Sequence, residues 1–259
     1  MGEHKKILDW LSLNDTNSRH NDIRKQRQEG TGKWFLETET FRQWIQGSSD
    51  ESQRLLWAYG IPGAGKTCIS SLVIDHLHEH ASKKNCGVAH IYFNYKEKQK
   101  QRPTDILTSL VKQLGNQQPE PSVVLLGLHE RSQKEKRRPT DDELYNALVG
   151  LSKEFTRTFV VFDALDECDR WEQRATLLPM CHKMRESGLT LFITSRRSAD
   201  DIEESFKEAS TMEIRAHEAD IRSYICKRLD AHPAARSMLR NSKREEGIIT
   251  ELVEISAGM

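Results

Sequence analysis

The chain has 259 residues, enough to bury a full hydrophobic core, so one α/β domain with helical additions at either end is expected and two equal domains would be cramped. Its 39 Lys and Arg balance 39 Asp and Glu, which removes the composition-level case for a nucleic-acid or anionic-membrane partner, and no stretch approaches the roughly 20 apolar residues of a membrane span. The start, Met1 to Lys6, lacks an apolar signal core, and Cys68, Cys86, Cys168, Cys181 and Cys226 form no CxxC pair, so a soluble cytoplasmic protein with free thiols is expected.

Residues 1–50 read as a helical lead-in, with short amphipathic pieces at 7–13 and 38–45 on either side of a polar connector, 19–32, that carries the turn signal Thr31-Gly32. From Arg54 onward short apolar runs alternate with longer helical segments, the pattern of a parallel sheet wrapped by helices. Strands are predicted at 55–59, 88–95, 158–162, 189–194 and, more weakly, 212–214, with helices at 67–82, 104–114, 121–131, 141–155, 172–186 and 200–207 between them. Two further helices, 217–229 and 244–255, fall outside the strand pattern and suggest a small lid over 216–259, leaving 51–215 as the sheet domain. The charge runs 96–102 and 134–138 read as solvated loops.

The octet Gly60-Ile61-Pro62-Gly63-Ala64-Gly65-Lys66-Thr67 matches G-x-x-x-x-G-K-[ST] between a predicted strand and a predicted helix, the context that gives this pattern meaning. Its glycines allow backbone amides, through Cys68, to surround phosphate oxygens, and Lys66 brings positive charge to the β- and γ-phosphates. Thr67 opens the helix, where its hydroxyl can ligate magnesium.

The apolar run 158–162 ends in Asp163-Ala164-Leu165-Asp166-Glu167, which puts carboxylates at a strand's carboxyl end, where open α/β sheets bind ligands. Asp163 is the candidate magnesium ligand, and Asp166 or Glu167 the candidate for orienting and deprotonating an attacking water. The competing reading is a polar turn in which Asp166 or Asp169 caps a helix near Trp171. The run 189–194 ends in Ser195-Arg196-Arg197; Arg196 is placed to sense the γ-phosphate, and Arg197 reads as an ordinary basic turn residue. His76, His78 and His80 read as a solvent-facing strip, and the thiols of Cys68 and Cys168 as packing groups. No N-K-x-D motif follows, which weighs against a GTPase.

In order and spacing the chain resembles the NACHT class of STAND P-loop nucleoside triphosphatases, with the nephrocystin-type N-terminal domain of fungal proteins the nearest in kind. The resemblance rests on Gln28-Glu29-Gly30-Thr31-Gly32-Lys33-Trp34-Phe35-Leu36, the octet at Gly60, Phe162-Asp163-Ala164-Leu165-Asp166-Glu167-Cys168, Ile193-Thr194-Ser195-Arg196-Arg197 and Asp220-Ile221-Arg222-Ser223-Tyr224-Ile225. It implies a three-layer sandwich around a mainly parallel five-stranded sheet, with the phosphate-loop strand between the sensor strand and the last strand. It also implies ATP with Mg2+, ATP-driven switching with protein partners or self-association, and Trp34 close to the adenine. Family members continue past the counterpart of Ser256-Ala257-Gly258-Met259 into winged-helix and repeat regions, so the chain reads as a shortened form. An ATP-binding, slowly hydrolysing switch is therefore the leading expectation, beside a non-catalytic interaction protein that holds nucleotide for its fold, and a small-molecule kinase.

Overall fold

The computed structural model describes residues 2–11, 17–47, 50–241 and 244–257. Residues 12 and 13 of the first amphipathic piece and residues 242, 243, 258 and 259 of the lid segment lie outside them. Five parallel strands, β1 (Leu55–Tyr59), β2 (Cys86–Tyr92), β3 (Arg157–Asp163), β4 (Thr190–Ser195) and β5 (Ser210–Glu213), form one sheet in the order β2-β3-β4-β1-β5. The phosphate-loop strand β1 thus lies between β4 and β5, as the family pattern implies.

Strand alternation divides the core into two layers. Leu55, Trp57, Val160, Phe162, Leu191 and Ile193 point to one face, covered by α1 (Gly2–Leu11), α6 (Pro103–Gly115), α7 (Val123–Glu135), α8 (Asp141–Ser152) and α9 (Ala175–Glu186). Leu56, Ala58, Phe159, Val161 and Phe192 point to the other, where α3 (Lys33–Glu37), α4 (Glu39–Gln46) and α5 (Lys66–Lys84) pack. Trp44 anchors α4 there, donating from Nε1 to the Leu191 carbonyl at 3.1 Å, while Arg157 closes the helix end on the carbonyls of Trp44 and Ile45. The edge strand β2 is covered by two amide side chains, one from α6 and one from the turn that follows it: Gln113 bonds N–H and C=O of His90, and Gln117 those of Val88. Those bonds satisfy backbone groups that would otherwise template pairing with another chain.

Several boundaries differ from the sequence expectation. The polar connector 19–32 contains α2 (Ser18–Gln26), which buries His20 and Ile23 and docks on α5. Asp75 receives Arg27 at 2.5 Å and His20 at 3.1 Å, and Arg27 also donates to Ser71 at 2.9 Å. An ionic contact of this kind carries no apolar periodicity, so pattern reading missed the helix. Strand β2 stops at Tyr92 instead of continuing to residue 95, because its partner β3 ends at Asp163; the next residues turn into a 3-10 segment, Tyr95–Lys100. Helix α8 stops at Ser152, three residues short of the predicted end. Helix α12 (Pro233–Asn241) has no counterpart in the predicted elements. The histidines do not form a solvent-facing strip: the ring of His76 lies 5.8 Å from that of Phe41, and that of His80 6.3 Å from that of Phe159, while His78 alone is exposed.

His90 is 3% exposed, and neither ring nitrogen has a hydrogen-bond partner among the described residues. Burial pushes its pKa down to about 3. A depressed histidine pKa means that the unfolded chain binds the proton more readily, so stability falls as pH drops below the unfolded value near 6.5. Between pH 7 and pH 5 this group alone should cost about 2 kcal/mol at 1.36 kcal/mol per pKa unit. Urea unfolding of wild type and His90→Phe at both pH values checks it; parallel pH slopes would show that the ring gains its proton while still buried.

Candidate nucleotide-binding site

The loop after β1 starts at Gly60, whose amide donates to the Ser195 carbonyl at 3.2 Å. A Cβ on Gly60 would sit 2.5 Å from the Ile214 carbonyl oxygen, so no larger residue fits between β1 and the chain beyond β5. Gly63 (φ +84°) and Gly65 (φ +93°) hold the left-handed angles that turn the loop and deliver it to the first turn of α5. The Lys66 ammonium bends back onto the loop, donating to the carbonyls of Gly60 at 2.8 Å and Ile61 at 3.0 Å. Burial lowers its pKa, opposed by the nearby carboxylates of Asp166, Asp163 and Glu167.

Strand β3 delivers Asp163 to the same spot. Its side chain, 2% exposed, accepts from Thr67 Oγ1 at 2.8 Å on Oδ2, and from Ser70 Oγ at 2.6 Å and Thr194 Oγ1 at 2.7 Å on Oδ1. Burial raises the Asp163 pKa, and the three hydroxyls and Lys66 pull against that shift. Thr194 also accepts from the Ala164 amide at 2.9 Å, and Ala164 stands in the left-handed region (φ +57°), a costly conformation for a residue with a Cβ. Ser70 and Thr194 were not among the sequence candidates. Ser70 lies one helical turn beyond Thr67 and so shares its face, the one signal that could have found it.

The other carboxylates divide their roles. Asp166 accepts from the Arg196 backbone amide and pairs with Arg196 Nε, each at 3.0 Å, so the two residues meet each other directly. Glu167 accepts from the Tyr95 amide at 3.1 Å and is otherwise half-exposed at the cleft. Helix capping falls to Asp169, which accepts from the amides of Trp171 and Glu172. Arg197 pairs with Glu203 at 3.2 Å and lies over the Tyr59 ring, as a surface residue does.

Beside the loop lies a mostly apolar cavity of about 360 Å³, walled by Thr31, Gly32 and Trp34 of the lead-in and by His217, Ile221 and Tyr224 around the start of α11 (Glu218–Asp230), with Gly63, Ala64 and Gly65 along its floor. The rings of Trp34 and His217 stand 5.3 Å apart. The reading of the Cys68 thiol as a packing group is corrected here: Cys68 is exposed and lines this cavity at the end of the phosphate loop, whereas Cys168 is buried.

Residues 30–196, more than half of the chain, match the family described as Nephrocystin 3, N-terminal. The chain is 29% identical, over 227 aligned positions and 76% of its length, to the vegetative incompatibility protein HET-E-1 of Podospora anserina, of which it spans 15%. Among solved structures, Orc1 of Aeropyrum pernix, seen in complex with DNA, superposes with a TM-score of 0.50 at 16% identity, covering 87% of this chain and 53% of its own. Cdc6p of Pyrobaculum aerophilum gives a TM-score of 0.47 at 15% identity, covering 68% of this chain and 43% of its own. Among the described residues no helix is long and apolar enough to cross a membrane. A glycine loop that leads from a central parallel strand into a helix, faced by a buried aspartate on a neighbouring strand's tip and matched by the family over this same stretch, identifies the chain as a member of the Nephrocystin 3 N-terminal family, a NACHT-like nucleotide-binding P-loop NTPase module.

Proposed function

We propose that this chain is an ATP-binding, slowly hydrolysing switch module of the NACHT/STAND type, working in the cytoplasm through self-association or protein partners. The observation that carries the reading is the Thr67 to Asp163 hydrogen bond, which brings a helix-opening hydroxyl and a buried carboxylate together beside a lysine and a loop of amides. Two hard oxygen donors of this kind fit Mg2+. When bound, the metal would neutralise charge on the β- and γ-phosphates. Lys66 then leaves the loop carbonyls for the phosphates, the amides of residues 63–68 surround them, and Trp34 lies against the base. Residues 51–215 form the nucleotide-binding body in this reading, and residues 216–259 a lid.

Glu167 is the carboxylate assigned to the attacking water, since Asp166 is engaged twice by Arg196. The same pair favours a second reading, in which nucleotide is held for the fold and the chain works by association alone: while Arg196 neutralises Asp166, neither is free for chemistry. Phosphate release separates the two. Glu167→Gln should retain ATP binding and lose roughly 10²-fold in release, the usual scale of general-base loss. Asp166→Asn should also retain binding and should loosen Arg196. Release no faster from wild type than from Glu167→Gln, with binding intact, would favour the association reading.

A further inference from the structure

Helices α11 and α12 bury none of their residues, so the hydrophobic effect does not by itself fix where α11 rests on the body. One bond does span the gap. Asp220 Oδ2, in the first turn of α11, accepts from the Gly32 amide at 2.8 Å across 188 residues of sequence. Gly32 is a fixed donor: its φ is +77°, and a Cβ there would lie 2.9 Å from Ile69 Cδ1 and 3.2 Å from Leu72 Cδ2, so this part of the lead-in is packed hard onto α5.

We propose that Asp220 is a positioning residue that latches α11 over the bound nucleoside by gripping the Gly32 amide. It thereby sets how long nucleotide stays, not how its phosphates are handled. The inference rests on the nucleotide reading of the adjoining cavity. Ile221 and Tyr224 of α11 line that cavity together with Trp34, and Tyr224 is 46% exposed, so apolar surface on α11 is left for a planar base to cover. Within the chain α11 packs mainly against α13 (Glu245–Ala257), so a base between Trp34 and α11 would add the contact to the body that this packing does not supply, and Asp220 holds the helix at the distance where that contact forms.

The test is release of radiolabelled ATP, bound with magnesium to the full chain, after a chase with unlabelled ATP. Asp220→Ala should release label roughly tenfold faster than wild type, the scale of one lost hydrogen bond to a charged group, while Asp220→Asn, which keeps an acceptor oxygen, should stay within about twofold. Unliganded melting temperatures of the three proteins should agree, which a purely structural role for Asp220 would not allow. Trypsin offers a second readout: ATP should slow cleavage at Lys227 and Arg228 in wild type and fail to do so in Asp220→Ala. Unchanged or slower release from Asp220→Ala would overturn the latch alone. A wild type that retains no more label than Lys66→Ala would remove the nucleotide reading and the latch together.

Discussion

Lys66→Ala is expected to abolish the stabilisation that magnesium ATP confers on this chain. At about a hundred times its dissociation constant, a ligand bound only by the native state adds roughly 2.7 kcal/mol, which for a chain of this size raises the melting temperature by roughly 5–10 °C. The variant should show almost none of that rise. Without nucleotide, Lys66 makes two hydrogen bonds to loop carbonyls among the described residues and remains partly exposed, so the unliganded variant should unfold close to wild type. This contrast makes the result readable: a lost ligand shift with a preserved baseline locates the defect in binding. Thermal unfolding with ATP, GTP or no nucleotide performs the measurement. Equal ATP shifts in wild type and variant would end the phosphate-loop assignment.

The second large effect concerns Asp163, on which three hydroxyls converge. In Asp163→Ala the Ser70 and Thr194 hydroxyls, both fully buried, lose their acceptor, at roughly 1–3 kcal/mol for each unsatisfied group. A loss of about 2–5 kcal/mol in unliganded stability is expected, within the range for breaking a buried polar network. Asp163→Asn keeps the volume and one acceptor oxygen and removes the cost of burying a charge, so its unliganded stability should lie much nearer wild type. It should nevertheless lose the magnesium-dependent part of ATP binding, because an amide oxygen is a poorer ligand for a hard cation than a carboxylate. Urea unfolding with and without magnesium ATP distinguishes the two losses. An alanine variant as stable as wild type, or an asparagine variant that binds magnesium ATP as wild type does, would contradict the role given to this carboxylate.

Together the two variants test separate halves of one cleft. In the proposed reading Lys66 reports on the phosphates and Asp163 on the metal, yet the two residues come from α5 and β3, which meet only because β1 and β3 flank β4. The half-buried Lys66, folded onto its own loop, and the pair of Asp166 and Arg196 form a site whose charged groups satisfy one another; in the proposed reading a more highly charged ligand displaces those contacts. Arg196 is half-exposed but the Asp166 side chain is only 9% exposed, so this pair is held more firmly than a surface ion pair of about 1 kcal/mol or less, and displacing it requires a replacement charge.

Much of this organisation is legible in the residues themselves. The glycine spacing at 60–65, the Lys66-Thr67 pair and the apolar run that ends in Asp163 each encode local geometry, since left-handed turns demand glycine and buried parallel strands demand continuous apolar runs. Strand positions, the phosphate loop and the sheet class follow from such local rules. What depended on the third dimension was every pairing between distant segments. Thr194 and Ser70 share one carboxylate, Asp166 pairs with Arg196, α2 docks through Asp75, and Asp220 reaches Gly32. Polar contacts of this kind have no periodicity along the chain. Whether a hydroxyl or carboxylate is free or engaged is decided only when packing brings its partner within about 3 Å, the distance at which a hydrogen bond forms.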